Sequence, residues 1–246
     1  MKISVCVAKG KNKEKSEDTV VVGRQIISEE AVEYQCEGIN CIAVADGVGG
    51  AAGGRDASRF VLKKLSSNID NLKSEQELKV FFKELNSELL RYGKDVGTPN
   101  MATTITGLVF SEENCFLVHA GNTRLYILQG EYLKQITEDQ TLYRWLLNTG
   151  NLEAAENCNR NVIRSCLGGG LASYAENLVI KKVFESALPI TILFTSDGIH
   201  EFLDIDTMES LLNSKKSDAD ILKEMVEMAE ANGSEDDKSV ILIRNR

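Results

Sequence analysis

The chain alternates between short β-branched runs and stretches whose apolar residues recur at helical spacing. Runs at residues 3–8, 19–27, 39–45, 103–110, 115–120, 125–128, 178–184, 190–194 and 240–243 are apolar and flanked by turn-forming residues, the pattern of β-strands. Between them, Leu78, Phe81, Phe82, Leu85 and Leu89 keep the i, i+3, i+4, i+7 spacing that gives an α-helix one buried face. Ala57, Phe60, Val61 and Leu65 predict a second helix. Leu222, Met225, Val226 and Ala229 predict a third, stopped by Asn232-Gly233. Trp145 with Leu142, Leu146 and Leu147 predicts a short amphipathic helix, which plain core packing explains equally well.

The order is strands, two helices, a long run of strands, then helices and a closing strand. Strict βαβ alternation is missing, which disfavours a doubly wound parallel sheet. Gly121-Asn122 and Gly130-Glu131 stand where hairpins would turn. The expected fold is α+β: a four-layer sandwich of two stacked, mainly antiparallel β-sheets with helices on both sides. With two prolines, no Ser/Gly-rich linker and no internal repeat, residues 1–246 read as one domain.

Composition narrows the function classes. A net charge of −9 is the wrong sign for a nucleic-acid footprint. No apolar run approaches the roughly 18 residues of a membrane span, and residues 1–7 read as a strand rather than a signal peptide. Six cysteines lie singly, without Cys-x-x-Cys spacing, which suits buried thiols in a reducing compartment; the cytoplasm is expected. Only two histidines are present, so a zinc centre or a Ser-His-Asp triad has little material. His119 reads as a sheet residue, and His200 as a helix-start surface residue rather than a group approaching a metal. The basic run Lys9 to Lys15 reads as a solvated loop.

The chemistry concentrates in acidic strand ends. Asp46-Gly47 closes the run at 39–45, and Asp197-Gly198 follows the run at 190–194. The cluster Glu235-Asp236-Asp237 stands just before the last strand. Asp-Gly alone is common turn chemistry. Three carboxylate-bearing strand ends supply what a hard divalent cation needs, and Val48-Gly49-Gly50 after Asp46-Gly47 lets backbone approach an ion closely.

Taken in order, these segments resemble the type 2C metal-dependent protein Ser/Thr phosphatases. The resemblance runs through Lys13-Glu14-Lys15-Ser16-Glu17-Asp18, Ala45-Asp46-Gly47-Val48-Gly49-Gly50 and Met101-Ala102-Thr103-Thr104. It continues through Gly121-Asn122-Thr123-Arg124, Thr137-Glu138-Asp139-Gln140-Thr141 and Arg164-Ser165-Cys166-Leu167-Gly168, and ends at Thr195-Ser196-Asp197-Gly198 and Asp236-Asp237-Lys238-Ser239.

The resemblance implies two Mn²⁺ or Mg²⁺ ions. Asp46 would bridge them, Gly47 would lend its carbonyl to one, and Asp197 and Asp236 would complete the other. Glu17 and Asp18 would hold waters around the ions, and Lys13 stands where the family places a phosphate-gripping arginine. It also implies hydrolysis of phosphoserine and phosphothreonine in proteins by direct attack of a metal-bridging hydroxide. The partners would be phosphoproteins made by a Ser/Thr kinase, and the enzyme a monomer. Asn122 stands where bacterial members carry an aspartate, which disfavours a third metal. Gln140 replaces a histidine, and Val48 stands where animal members carry a histidine acid. Two rival readings are a pseudophosphatase that binds phosphoproteins and a structural Ca²⁺ protein; no Asp-x-Asp-x-Asp-Gly loop supports the latter.

Overall fold

The computed structural model describes residues 1–35, 38–48, 53–112, 114–185 and 191–245. Five strands come first: β1 (Lys2–Ala8), β2 (Thr19–Val22), β3 (Gln25–Ile27), β4 (Ala31–Gln35) and β5 (Cys41–Ala45). Helices α1 (Gly54–Asn68) and α2 (Glu75–Asp95) follow. Then come β6 (Ala102–Thr103), β7 (Ile105–Phe110), β8 (Asn114–Ala120), β9 (Arg124–Gln129) and β10 (Tyr132–Gln135). Helices α3 (Leu142–Asn148) and α4 (Leu152–Asn157) precede β11 (Leu167–Gly168), β12 (Val179–Glu185) and β13 (Thr191–Thr195). Helices α5 (Asp197–His200), α6 (Ile205–Leu212) and α7 (Asp218–Ala231) lead into β14 (Lys238–Arg244).

Two six-stranded antiparallel sheets form the centre, in the orders β10-β9-β13-β14-β1-β4 and β12-β8-β7-β5-β2-β3. Three apolar layers follow. Strand period places Cys41, Ala43 and Ala45 of β5 against α1 and α2, and Ile42 and Val44 against the other sheet. On the far side, Leu193 and Leu242 pack with Ile221, Leu222 and Met225 of α7. The expected helix–sheet–sheet–helix sandwich is therefore the observed one. Each fully buried Leu, Ile or Phe in these layers stabilises the fold by about 1.5–3 kcal/mol. Among the described residues no helix is long and apolar enough to cross a membrane.

Several elements differ from the sequence reading. Residues 19–27 are a hairpin, β2 and β3, because Gly23 takes φ 59° between them. Gly130, at φ 65°, turns the β9–β10 hairpin as expected. Gly121-Asn122 is not a hairpin corner: β8 lies in one sheet and β9 in the other, so this turn carries the chain across the sandwich. Strand β4 was not expected, because alternate residues of Ala-Val-Glu-Tyr-Gln are exposed at a sheet edge. Helices α4, α5 and α6 are too short for a periodic signal. Gly49, Gly50 and Ile190 lie outside the described residues.

Candidate metal centre

Strand register brings the acidic positions to one rim. Thr19 of β2 pairs with Ala45 of β5, so Asp18 and Asp46 emerge side by side. Thr195 of β13 pairs with Val240 of β14, which sets the turn at Asp197 beside the approach to β14 that carries Asp236. These four are central strands, held on both sides by hydrogen-bonded neighbours. A cleft of about 440 Å³ opens against Asp197 and Asp236.

The backbone around each aspartate is fixed by its neighbours. Thr104 Oγ1 accepts from the Asp46 amide at 3.0 Å, and Thr103 Oγ1 donates to the Asp46 carbonyl at 2.9 Å. The glycines of both Asp-Gly corners are set by close packing. A Cβ on Gly47 would meet the Gly54 carbonyl at 2.4 Å, and one on Gly198 would meet the Asp237 carbonyl oxygen at 2.0 Å. The second corner is thus the start of α5 rather than a free turn.

Lys13 lies within this rim. Its Nζ donates to Glu17 at 2.9 Å and to Asp236 and Asp237 at 2.8 Å each. The solvated-loop reading of the basic run holds for its exposed neighbours Lys11 and Lys15 but not for Lys13. Asp237, 2% exposed, also accepts from the Gly10 amide at 2.7 Å and the Glu17 amide at 2.8 Å, anchoring the segment that carries Glu17. Lys238 is wholly buried and donates to the Asp236 carbonyl at 2.8 Å. Asp237 and Lys238 stand inside a recognised motif, but nothing in the sequence marked them as the clamp.

Electrostatics show what the site lacks. Burial first, then repulsion from Asp18, Asp197 and Asp236, hold the Asp46 carboxyl well above the usual carboxylate range. Burial and the nearby Asp237 push Asp18 up to about 7; the Ser239 and Ser196 hydroxyls offset part of this without completing a hydrogen bond to either Asp18 oxygen. Asp197 is raised by burial and by Asp236, while Asn122 Nδ2 donates to its Oδ2 at 2.9 Å. Both Asp18 oxygens, Asp197 Oδ1 and Asn122 Oδ1 are buried without a hydrogen-bond partner. Orphaned oxygens on mutually repelling carboxylates fit a hard cation, whose charge would satisfy both deficits. No three His, Cys, Asp or Glu side chains among the described residues form a finished cage. Lys13 on Asp236 and Asn122 on Asp197 hold the carboxylates on competing partners.

Both histidines are spent inside the fold. His119 Nε2 donates to the Glu138 carbonyl at 2.9 Å and its Nδ1 faces Thr106 Oγ1 at 2.8 Å, the sheet role expected. His200 is not the surface residue expected. It is 8% exposed, with Nδ1 at 2.7 Å from Thr195 Oγ1, and burial lowers its pKa well below the ordinary value. Gln140 serves structure: its Oε1 accepts from the Gly121 amide at 3.1 Å and its Nε2 donates to the Asn177 carbonyl at 2.8 Å.

Residues 31–239 match the sequence model of the protein phosphatase 2C family. The chain belongs to that family. Among protein phosphatase 2C relatives it is similar to the serine/threonine phosphatase stp of Listeria monocytogenes, 27% identical over 213 residues covering 82% of this chain and 83% of that one. Its fold is similar to serine/threonine phosphatase Stp1 from Staphylococcus aureus, with a TM-score of 0.80, 22% identity and coverage of 99% and 94%. It is also similar to the catalytic domain of the serine/threonine protein phosphatase PstP in complex with two manganese ions, with a TM-score of 0.72, 23% identity and 98% of each chain covered. The protein phosphatase 2C match begins after Lys13, Glu17 and Asp18, so the placement of these three rests on the rim geometry.

Proposed function

We propose that this protein is a divalent-metal-dependent phosphatase acting on phosphoserine and phosphothreonine in proteins. The observation that carries the reading is the buried cluster of Asp18, Asp46 and Asp197, repelling one another and holding orphaned oxygens, in a protein phosphatase 2C chain. The names of the Listeria and Staphylococcus phosphatases support the substrate class, and the PstP complex supports two ions of the manganese type.

Asp46 would hold both ions with the Gly47 carbonyl on one, and Asp197 and Asp236 would hold the other. When bound, Mg²⁺ or Mn²⁺ supplies Lewis acidity, making a water acidic near neutral pH and neutralising charge on phosphoryl oxygens. The chain's own groups do the rest. Asp18 and Glu17 orient waters at the rim. Lys13, held by Glu17, Asp236 and Asp237, offers a point charge to a phosphate oxygen, without the two-pronged grip of an arginine. The neutral amide of Asn122 limits the site to two ions. His119 and His200, buried and hydrogen-bonded, leave proton delivery to the leaving group to solvent.

The alternative, a phosphoprotein-binding module without catalysis, is less well supported, because Asp46, Asp197 and Asp236 remain electrostatically coupled at one rim. The common apolar layer between the sheets supports reading residues 1–246 as one catalytic unit. The five described cysteines are free thiols, which supports the cytoplasm, and the acidic charge supports protein rather than nucleic-acid partners. The test is hydrolysis of a phosphothreonine peptide in Mn²⁺, in EDTA and by Asp46→Asn. EDTA should abolish turnover, and Asp46→Asn should reduce it at least about a hundredfold. Activity surviving both treatments rejects the reading.

A further inference from the structure

A cavity of about 610 Å³ lies between α3 and the β8–β12 pair and shares no lining residue with the cleft at the acidic rim. Its wall gathers Arg144, Arg164 and Lys181. In a chain of net charge −9 this is an unusual place to find three cations. None of the three has a carboxylate partner among the described residues. Arg144 Nε is buried with no hydrogen-bond partner at all. Arg164 stacks its guanidinium over the Trp145 ring at 4.2 Å, which keeps its N–H edge free for an acceptor.

The cavity also contains two carboxylates, and both are engaged. Asp139 accepts from Arg124 Nε at 2.9 Å and Nη2 at 2.6 Å, and Glu138 accepts from Asn148 Nδ2 at 2.8 Å. Arg124 neutralises Asp139, whereas the Asn148 amide leaves the charge of Glu138 in place, so three cations face one uncompensated carboxylate and the wall is net positive. A buried guanidinium N–H without a partner is costly, and the group that would satisfy it is an anionic oxygen.

The cavity is tied to the metal rim through Gln140. This residue lines the wall, and its amide donates to the Gly121 carbonyl at 2.8 Å while its side chain accepts from the Gly121 amide. The next residue, Asn122, holds Asp197. Gln140, Gly121, Asn122 and Asp197 thus form one continuous chain from the cavity wall to the rim.

We propose that this cavity is a docking site for an acidic segment of the phosphoprotein substrate, with Arg144, Arg164 and Lys181 receiving its carboxylates beside Trp145. The proposal rests on the phosphatase reading for its ligand, but its test does not need turnover. Trp145 is the only tryptophan in the chain and forms part of the wall, so its emission reports on this cavity alone. Unphosphorylated peptides with glutamate or glutamine flanks are titrated into the Mg²⁺-loaded protein. Wild type, Arg144→Gln, Lys181→Gln and the exposed control Arg91→Gln are compared, with circular dichroism checking that each is folded.

The glutamate peptide should change Trp145 emission saturably. Its Kd should rise about tenfold in Arg144→Gln and in Lys181→Gln, stay unchanged in Arg91→Gln, and weaken with salt. The glutamine peptide should bind weakly to all. In turnover, kcat/KM for an acidic phosphopeptide should fall by a similar factor in the cavity variants, with p-nitrophenyl phosphate unaffected. No emission change, or equal losses for both peptides, overturns the proposal. So does inorganic phosphate binding as tightly as the glutamate peptide, which would make the cavity a free-anion site. If no phosphopeptide is hydrolysed yet the glutamate peptide binds as described, the docking site stands and the phosphatase reading falls.

Discussion

Lys13 Nζ lies 2.8 Å from Asp236 Oδ1, so an ammonium occupies a carboxylate that the proposed centre assigns to a metal ion. The same nitrogen holds Glu17 and Asp237; burial opposes the charge on Lys13, but the bonds to Asp236, Asp237 and Glu17 outweigh it and raise its pKa above the ordinary lysine value. On that assignment a cation at Asp236, even one taken through Oδ2, would sit beside the ammonium on Oδ1, and the repulsion is subtracted from metal affinity. Lys13→Met removes the competitor. Calorimetric titration of Mn²⁺ into the EDTA-stripped variant should give a Kd about tenfold lower than wild type, one charged hydrogen bond being worth about 1.5–3 kcal/mol. Turnover should fall at the same time, because the phosphate loses its point charge. Unchanged or weaker Mn²⁺ binding rejects the competition.

Asn122 gives a second test in the opposite direction. Its amide donates to Asp197 while its own Oδ1 is buried without a partner. Asn122→Asp replaces that donor with a negative charge beside Asp197. Without metal, the melting temperature should drop, by the equivalent of about 1–3 kcal/mol for a lost partner in a buried site. With Mn²⁺ the variant should recover, and the Mn²⁺ concentration for half-maximal activity should fall below that of wild type. An unchanged metal titration counts against a role for Asn122 in setting ion number.

The pH dependence of stability follows from the raised carboxyls. Asp18, Asp46 and Asp197 bind protons more tightly folded than unfolded, so the metal-free fold loses stability as pH climbs from about 4, the unfolded value, through the folded values, near 7 for Asp18. A bound cation removes this penalty by favouring the charged forms. The rise in melting temperature on adding Mn²⁺ to EDTA-treated protein should therefore be small at about pH 5 and large at about pH 7.5. An increment independent of pH across that range would separate these carboxyls from the metal.

Legibility differed by element for physical reasons. Strands β5, β13 and β14 are readable because both faces are buried and each carries an unbroken apolar run: Cys41 to Ala45, Ile192 to Phe194 and Val240 to Ile243. The long helices announced themselves by one buried stripe, as with Leu78, Phe82, Leu85 and Leu89. Strand β4 failed the same reading because it sits at an edge with polar residues outward. At the site, the acidic strand ends could be identified by position, yet their grouping could not: it depends on the Thr19–Ala45 and Thr195–Val240 registers. Lys13 was legible as a motif position and illegible as an ion-pair hub, since its partners Asp236 and Asp237 lie at the other end of the chain. His200 looked exposed beside a turn, but the turn is the start of a packed helix.

Gly198 tests whether backbone packing, and not only carboxylate identity, positions the ligands. An added Cβ there would meet the Asp237 carbonyl oxygen at 2.0 Å and its carbon at 3.0 Å, and neither is a flexible side chain that could give way. Relief requires shifting the segment just before β14, which carries Asp236. Gly198→Ala should therefore destabilise the fold by about 1–3 kcal/mol, the range for overpacking. It should also weaken Mn²⁺ binding by more than its loss of stability alone would suggest, since α5 and the Asp236 segment move apart together. Gly130→Ala is the matched control. Gly130, in the β9–β10 turn, has φ 65° with open space around its Cβ position, so its substitution brings only backbone strain. It should lower the melting temperature and leave the Mn²⁺ Kd unchanged. Equal metal affinities in the two variants would show that Asp236 does not depend on this packing.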